Sequence, residues 1–240
     1  MITLDLLPDM PVTLDERSAE LGGCFWQTPL TVYDRAPIQW AYDTLRTHER
    51  PVMLDIGAST GCFTLLAKFL PTLYVHAFEP HPLAYGVLRD NLRLNSLDWQ
   101  CRVEQVAMSD VEVEFDTFHA VLPNTAAGLS MLGGSPNQDR THHNIAVAVT
   151  TIDAHIAKWP TVALLPTLIK IDVEGNELAV LRGGEKTIRT LRPALIVEAS
   201  DINAAQYGYT PADIEMLLRE WGYAWISPNG CDLLCTWKGQ

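Results

Sequence analysis

The residues of this chain best placed to do chemistry are acids that end apolar runs. Asp55 closes Val52-Met-Leu-Asp55 and leads into Ile-Gly57-Ala-Ser-Thr-Gly61, and Glu79 closes Leu73-Tyr-Val-His-Ala-Phe-Glu79. Asp172 closes Ile169-Lys-Ile-Asp172 and Glu198 closes Leu195-Ile-Val-Glu198. A parallel strand buried on both faces reads as a continuous apolar run, and open parallel sheets bind ligands beyond the carboxyl ends of their strands. The four acids are therefore expected along one sheet edge. Glycines just past Asp55 let the backbone approach a ligand without Cβ clashes, so a side chain at Gly57 is expected to block a cofactor. An acid closing the second strand of such a unit is where a ribose diol is hydrogen-bonded. Two strands thus bracket one adenosine.

The turn narrows the ligand further. Gly57 and Gly61 lack the G-x-G-x-x-G spacing that admits a pyrophosphate to a helix N-terminus, which disfavours NAD or FAD. Asp55 adds negative charge where those phosphates would lie, whereas it suits the ammonium of an amino-acid moiety. A ligand joining adenosine to an amino acid satisfies both facts. The plainer alternative is a tight strand–helix turn and nothing more.

The elements that position these residues alternate from Pro51 onward: strand 52–56, helix 60–69, strand 73–79, helix 82–94 and strand 101–106. That order predicts right-handed βαβ crossovers and a parallel sheet. Glu112-Val-Glu-Phe-Asp116 alternates like an exposed edge strand, and a Gly/Ser/Asn/Pro-rich loop spans 124–144. Regular structure resumes with strands 145–150 and 167–172, helix 175–190, strand 194–199 and helix 211–221. Strands 223–227 and 232–237, joined by Pro228-Asn229-Gly230, read as a hairpin, so the last strand runs antiparallel. Residues 1–50, punctuated by prolines and Gly22-Gly23, read as an irregular cap or lid with one helix over 36–46, ahead of a domain over 51–240. Phe25, Trp26 and Tyr33 read as packing anchors of that cap.

Composition sets the outer limits. A 48% hydrophobic content permits a sizeable core. The formal charge of −12 repels phosphate backbones, so nucleic acid is not an expected partner. No apolar run is long enough to span a bilayer and the first ten residues lack a basic segment, so the cytoplasm is the expected compartment. Five cysteines without a C-x-x-C pair read as reduced thiols.

In its ordered motifs the sequence resembles class I S-adenosylmethionine-dependent methyltransferases, and within them the FkbM family. The motifs are Asp55-Ile-Gly-Ala-Ser-Thr-Gly-Cys-Phe63, Phe78-Glu-Pro-His-Pro82, Asn91-Leu-Arg-Leu-Asn95, Ala107-Met-Ser-Asp110, Thr151-Ile-Asp153, Ile169-Lys-Ile-Asp-Val-Glu-Gly-Asn-Glu-Leu178 and Leu195-Ile-Val-Glu198. The resemblance implies a doubly wound, Rossmann-like α/β fold with a seven-stranded, mostly parallel sheet, an antiparallel last strand and an N-terminal helical cap. It implies that S-adenosylmethionine lies on Asp55, Gly57, Ala58, Ser59, Gly61 and Phe63, with its ribose on Glu79 beside Pro80 and His81. The adenine would then lie near Ala107, Ser109 and Asp110, with Asp110 accepting from the exocyclic amine. The sequence departs from the family in carrying Ser59 and His81 where asparagines are usual. His81 is read either as stacking on the adenine or as a surface residue.

The implied reaction is O-methylation of a small molecule or sugar. An alcohol is a weak nucleophile and needs a base or a metal. Asp172 and Glu174 are the leading candidates for base or acceptor positioning, followed by Glu198 and His143 of the His142-His143 pair. A divalent metal is left open and no metal ligand is assigned. The competing structural readings are that Glu174 caps the helix starting near Gly175, that Glu198 pairs with Lys170 or Arg192, and that Lys170 is a structural ion-pair residue. Rival functions are an NAD-dependent oxidoreductase and a non-catalytic binding subunit of the same fold. A homo-oligomer is compatible with all of this.

Overall fold

In a computed structural model of the protein, the described residues are 1–21, 25–26, 31–32, 35–121, 131–133, 142–158 and 165–239. The chain opens on an antiparallel hairpin, β1 (Ile2–Leu7) with β2 (Met10–Leu14), turned by Asp9 at φ 61. Asp tolerates that left-handed conformation. Helix α1 (Arg17–Leu21), the short pair β3 (Phe25–Trp26) and β4 (Thr31–Val32), and helix α2 (Arg35–Leu45) complete the N-terminal segment. The side chains of Phe25 and Trp26, and Tyr33 altogether, lie outside the described residues. Helix α2 matches the one helix expected over 36–46; helix α1 and the hairpin are not foreshadowed by the proline-punctuated sequence. The hairpin's Leu6, Leu7, Val12 and Leu14 are buried in one core with Met53 and Val75.

Strand β5 (Val52–Ile56), a 3₁₀ turn over Thr64–Lys68, strand β6 (Tyr74–Phe78), helix α3 (Pro82–Leu94) and strand β7 (Cys101–Glu104) follow the expected alternation. The expected helix over 60–69 is corrected to that short 3₁₀ turn. The Thr64 hydroxyl donates to Asp55 (2.6 Å) and holds the segment against the strand end, while i→i+3 bonds such as Leu66 N to Phe63 O (3.0 Å) replace an α-helical ladder. A second sheet then forms from β8 (Ala107–Met108), β9 (Val113–Val121), β10 (Met131–Leu132) and β11 (His142–Thr150), in the order β10-β9-β11-β8. Helix α4 (Ile152–Ala157) starts at Thr151, whose side chain caps it. The chain closes with β12 (Leu168–Ile171), α5 (Glu177–Gly183), α6 (Glu185–Leu191), β13 (Ala194–Glu198), α7 (Asp201–Ala205), α8 (Pro211–Glu220), β14 (Tyr223–Ile226) and β15 (Asp232–Trp237). The single helix expected over 175–190 is two helices. A Cβ on Gly183 would sit on the carbonyl oxygen of Ser109, so the chain bends where it must pass that close.

The main sheet has seven strands in the order β14-β15-β13-β12-β5-β6-β7. Neighbours from β13 to β7 run parallel, and β15 lies antiparallel to both β13 and β14, as the hairpin signal requires. From β5 the chain builds outward through β6 and β7, then returns to lay β12 on the other side of β5. The crevice between the ends of β5 and β12 is therefore the topological switch point, where such sheets bind ligands.

Gly57 stands at that point with φ 75, and a Cβ there would collide with the carbonyl oxygen of Asp172. The glycine is required by the neighbouring strand end, which corrects the expectation that it only clears space for a ligand. Gly57→Ala should therefore destabilise the fold itself by more than about 1 kcal/mol, as an alanine in an incompatible backbone conformation does. Urea denaturation followed by circular dichroism checks this, and an unchanged midpoint would contradict the packing argument.

Candidate active site

A cleft opens at the switch point, where such sheets bind ligands. Gly57, Ser59, Glu79 and Pro80 line one side, Val106, Ala107, Met108, Phe118 and Leu132 another, and Asp172, Val173, Glu174 and Asn176 a third. Strands β5 and β12 carry the polar floor, and the second sheet supplies the apolar wall.

Lys170 organises the floor. Its side chain is 5% exposed and its ammonium donates to Gly57 O (2.7 Å), pairs with Asp172 (3.2 Å) and approaches Asp55 (3.7 Å). Burial alone would lower its pKa, but Asp172 and Asp55 together outweigh that and hold it above the usual lysine range. The structural ion-pair role expected for Lys170 is thus realised, though with these partners and not with Glu198. Phe63 lies under the same ammonium (5.5 Å from ring centroid), beneath the turn and not among the cleft-lining residues.

Asp55 is fully buried, which pushes its carboxyl up against the opposing effects of Lys170 and Thr64. One of its oxygens, Oδ1, and the buried hydroxyl of Ser59 have no hydrogen-bond partner among the described residues. Glu79 is buried too; its two oxygens accept from Ser59 N (2.7 Å) and His81 N (2.8 Å). Burial raises its carboxyl to about 7 even so. Each oxygen retains a further acceptor site. Ala58 is in the core, held by Ala58 N donating to Phe78 O (3.0 Å), and Gly61 turns the chain behind it.

His81 departs from both of its expected places. It is fully buried and its Nδ1 accepts from Leu83 N (3.2 Å) and Ala84 N (3.4 Å), capping α3 in the way an asparagine would. Asp110 is exposed, its carboxylate takes the Ser109 hydroxyl (3.3 Å), and it is not among the lining residues. Of the positions expected near the adenine, Ala107 lines the cleft, together with its neighbour Met108, and Ser109 is buried behind them and bonded by Asn176 (3.3 Å).

The acids beyond β12 and β13 form one cluster. Asn203 Nδ2 donates to Glu174 Oε2 and Glu198 Oε2, each at 3.0 Å. Burial, then Asp172, then Glu198 push Glu174 well above its ordinary value; burial, then Asp172 and Glu177 raise Glu198 to about 8. Glu174 does not cap the following helix. Glu177 takes that turn: its Oε1 accepts from Val173 N (2.9 Å) and Gly175 N (3.0 Å), and its Oε2 from the Tyr209 hydroxyl (2.9 Å). Glu177 and Asn203 escaped the sequence reading. A carboxylate two residues after a glycine was the signal for the first; the second comes from a distant helix and had none. Ser59 (φ 49) and Glu174 (φ 58) are left-handed non-glycine residues, and both line the cleft. Such conformations cost of order 1–3 kcal/mol and concentrate at functional sites. His143 lies on β11, exposed and opposite Ala120, instead of in a loop, and is not among the lining residues. His142 begins the same strand; most of the long loop lies outside the described residues.

The cysteines need one correction. Cys101, Cys231 and Cys235 are free as expected, whereas Cys62 is disulfide-bonded, to a partner outside the described residues.

The profile of the FkbM methyltransferase domain matches residues 55–224, from the acid of β5 into β14. The chain belongs to the FkbM family of methyltransferases. It is 30% identical to the 31-O-demethyl-FK506 methyltransferase FkbM of Streptomyces tacrolimicus, over 73% of this chain and 74% of that one. It is 32% identical to the 2-O-methyltransferase NoeI of Sinorhizobium fredii, over 59% and 60%. The fold is that of the S-adenosylhomocysteine-bound methyltransferase PaMTH1 of Podospora anserina, with a TM-score of 0.51, 11% identity, and coverage of 85% and 79%. The family's Rossmann-like methyltransferase fold is the one observed here. No helix among the described residues is long and apolar enough to cross a membrane.

The raised acids set a pH dependence. A carboxyl whose native pKa exceeds its unfolded value keeps its proton in the fold where the unfolded chain has lost it. Its stabilising contribution is full below the unfolded pKa and is lost as pH rises through the native one. For Glu198 that window runs from 4.5 to about 8. Glu198→Gln should gain stability relative to wild type by roughly 1 kcal/mol or more between pH 5 and 8.5. Urea midpoints of both proteins across that range check it, and a pH-independent difference would contradict the raised proton affinity.

Proposed function

We propose that the protein is an S-adenosylmethionine-dependent O-methyltransferase acting on a hydroxyl of a small molecule or sugar. One observation carries the reading: at the switch point, beside Glu79, Asp55 Oδ1 and Ser59 Oγ are buried and have no hydrogen-bond partner among the described residues. Buried polar atoms are normally satisfied; Ser59 lines the cleft, and Asp55 Oδ1 lies behind the lining with only the Lys170 ammonium near it (3.7 Å), so the two favour polar ligand groups at this end of the cleft. The residues present fit a ligand with an amino-acid end at Asp55 and Ser59, a ribose at Glu79, and an adenine against Ala107, Met108 and Phe118. Bound there, S-adenosylmethionine supplies a methyl group on a sulfonium. The 31-O-demethyl-FK506 methyltransferase and 2-O-methyltransferase relatives are both named for methylation at oxygen, which favours O-methylation here.

On the acceptor side, Glu174 is the strongest base candidate. It lines the cleft, and burial with Asp172 and Glu198 nearby raises its proton affinity, which makes its carboxylate a stronger proton acceptor. Asp172 is tied to Lys170 and so holds the turn, while Asn203 and Glu198 position Glu174. His143 follows as an alternative. The small-molecule acceptor, the cytoplasmic compartment and the cap-plus-domain division at residue 50 remain part of this reading.

Calorimetry should show S-adenosylhomocysteine binding one-to-one and NAD not binding. Glu79→Ala should weaken that binding by about 1.5–3 kcal/mol, the range for a hydrogen bond to a charged group. Glu174→Gln should keep donor affinity within a few-fold and slow labelled-methyl transfer to the best acceptor of a sugar and alcohol panel by about 10²–10⁴. Full turnover by that variant would move the base to Asp172 or His143. Binding of NAD in place of the homocysteine ligand would overturn the reading.

A further inference from the structure

Among the described residues, one group of three side chains brings potential metal-ligating atoms within 4.8 Å of one another, and none of the three lines the cleft. It consists of His76 on β6, Glu104 at the end of β7, and His155 on α4. Both histidines are buried, at 2% and 3% exposure. His76 Nδ1 and His155 Nε2 stand 3.3 Å apart. As a hydrogen bond that separation is long. Two nitrogens at zinc bond lengths and the tetrahedral angle stand about 3.3–3.4 Å apart, so it is the separation a shared ion would set.

The surroundings fix the ligands. Tyr74 meets the His76 ring edge-on (5.0 Å), and Phe78 meets the His155 ring edge-on (4.8 Å). Arg102 holds Glu104 Oε1 (2.7 Å) and leaves Oε2. The nearby cations are Arg102 and Lys158, both substantially exposed to water, and Lys158 is turned to Glu112 (3.7 Å).

We propose that His76, Glu104 and His155 bind one zinc-class divalent ion, with water completing a four-coordinate shell. The ion ties β6, β7 and α4 together directly beneath the cleft: Phe78 lines the cleft, and Glu104 O accepts from Glu79 N (3.1 Å). Its role is to brace the floor on which Glu79 stands, and the methyl-transfer chemistry does not pass through it.

The test is titration of chelator-treated full-length protein with ZnCl₂ by calorimetry and with CoCl₂ by visible absorption. One Zn²⁺ per chain, a raised thermal midpoint and the intense visible bands of low-coordinate Co²⁺ are expected. Glu104→Gln should weaken Zn²⁺ binding at least tenfold with the far-UV spectrum unchanged, and His155→Gln should abolish the cobalt bands. Should His155→Gln fail to fold, the Glu104→Gln comparison still decides. Absence of binding by the wild type, or wild-type affinity in Glu104→Gln, overturns the proposal, since the metal would then sit elsewhere or nowhere.

Discussion

The buried ammonium of Lys170 is the contact on which the site depends. Strands β5 and β12 are parallel neighbours with Lys170 opposite Asp55 in register, and both diverge at the switch point. One cation binds the carbonyl of Gly57, pairs with Asp172 and stands near Asp55, so it fixes the two strand ends against each other. Removing it would leave the buried Asp55 carboxylate in a low-dielectric interior without a counter-charge, which is far costlier than the pair's net contribution. The floor is therefore set before any ligand arrives.

Two turns rise from that floor, and each is braced from outside itself. Ser59 sits in the first, left-handed, with its amide held by Glu79 from the next strand. Thr60 O takes the amide of Asn91, whose carbonyl also receives Asp15 N. Asn95 likewise bonds both backbone groups of Thr13, so the N-terminal hairpin is stitched to α3 and through it to the turn. Glu174 sits in the second turn, held by Glu177 below and Asn203 from α7. Strained residues persist only where the surroundings over-determine them, and these brackets supply that.

Much of this was legible in the sequence because the signals were local. The apolar runs located β5, β6, β12 and β13 to within a residue or two, Pro82 and Asn95 bounded α3, and Pro228-Asn229-Gly230 announced the antiparallel edge. The acids at the strand ends followed from those runs, and Gly57, Ser59, Glu79, Asp172 and Glu174 do meet in one cleft. What the sequence hid was contact at long range. The 60–69 segment reads as helix until Thr64 is seen reaching Asp55, and His81 reads as a surface or stacking residue until its ring is found capping α3. The competing reading of Glu198 as a partner of Lys170 or Arg192 could not foresee that Lys170 is already held by Gly57, Asp172 and Asp55. The hairpin was hidden for a related reason: its prolines signal irregularity, while the Asn91 and Asn95 contacts that hold it come from more than seventy residues away.

The most direct measurement of the central claim, that the switch-point cleft seats an adenosyl amino acid between the two braced turns, is a crystal structure with S-adenosylhomocysteine. The expected density has ribose hydroxyls on Glu79, the amino-acid end satisfying Asp55 Oδ1 and Ser59 Oγ, and the adenine between Met108 and Phe118. Density for the ligand elsewhere, or a seated ligand that leaves both Asp55 Oδ1 and Ser59 Oγ without partners, would contradict it.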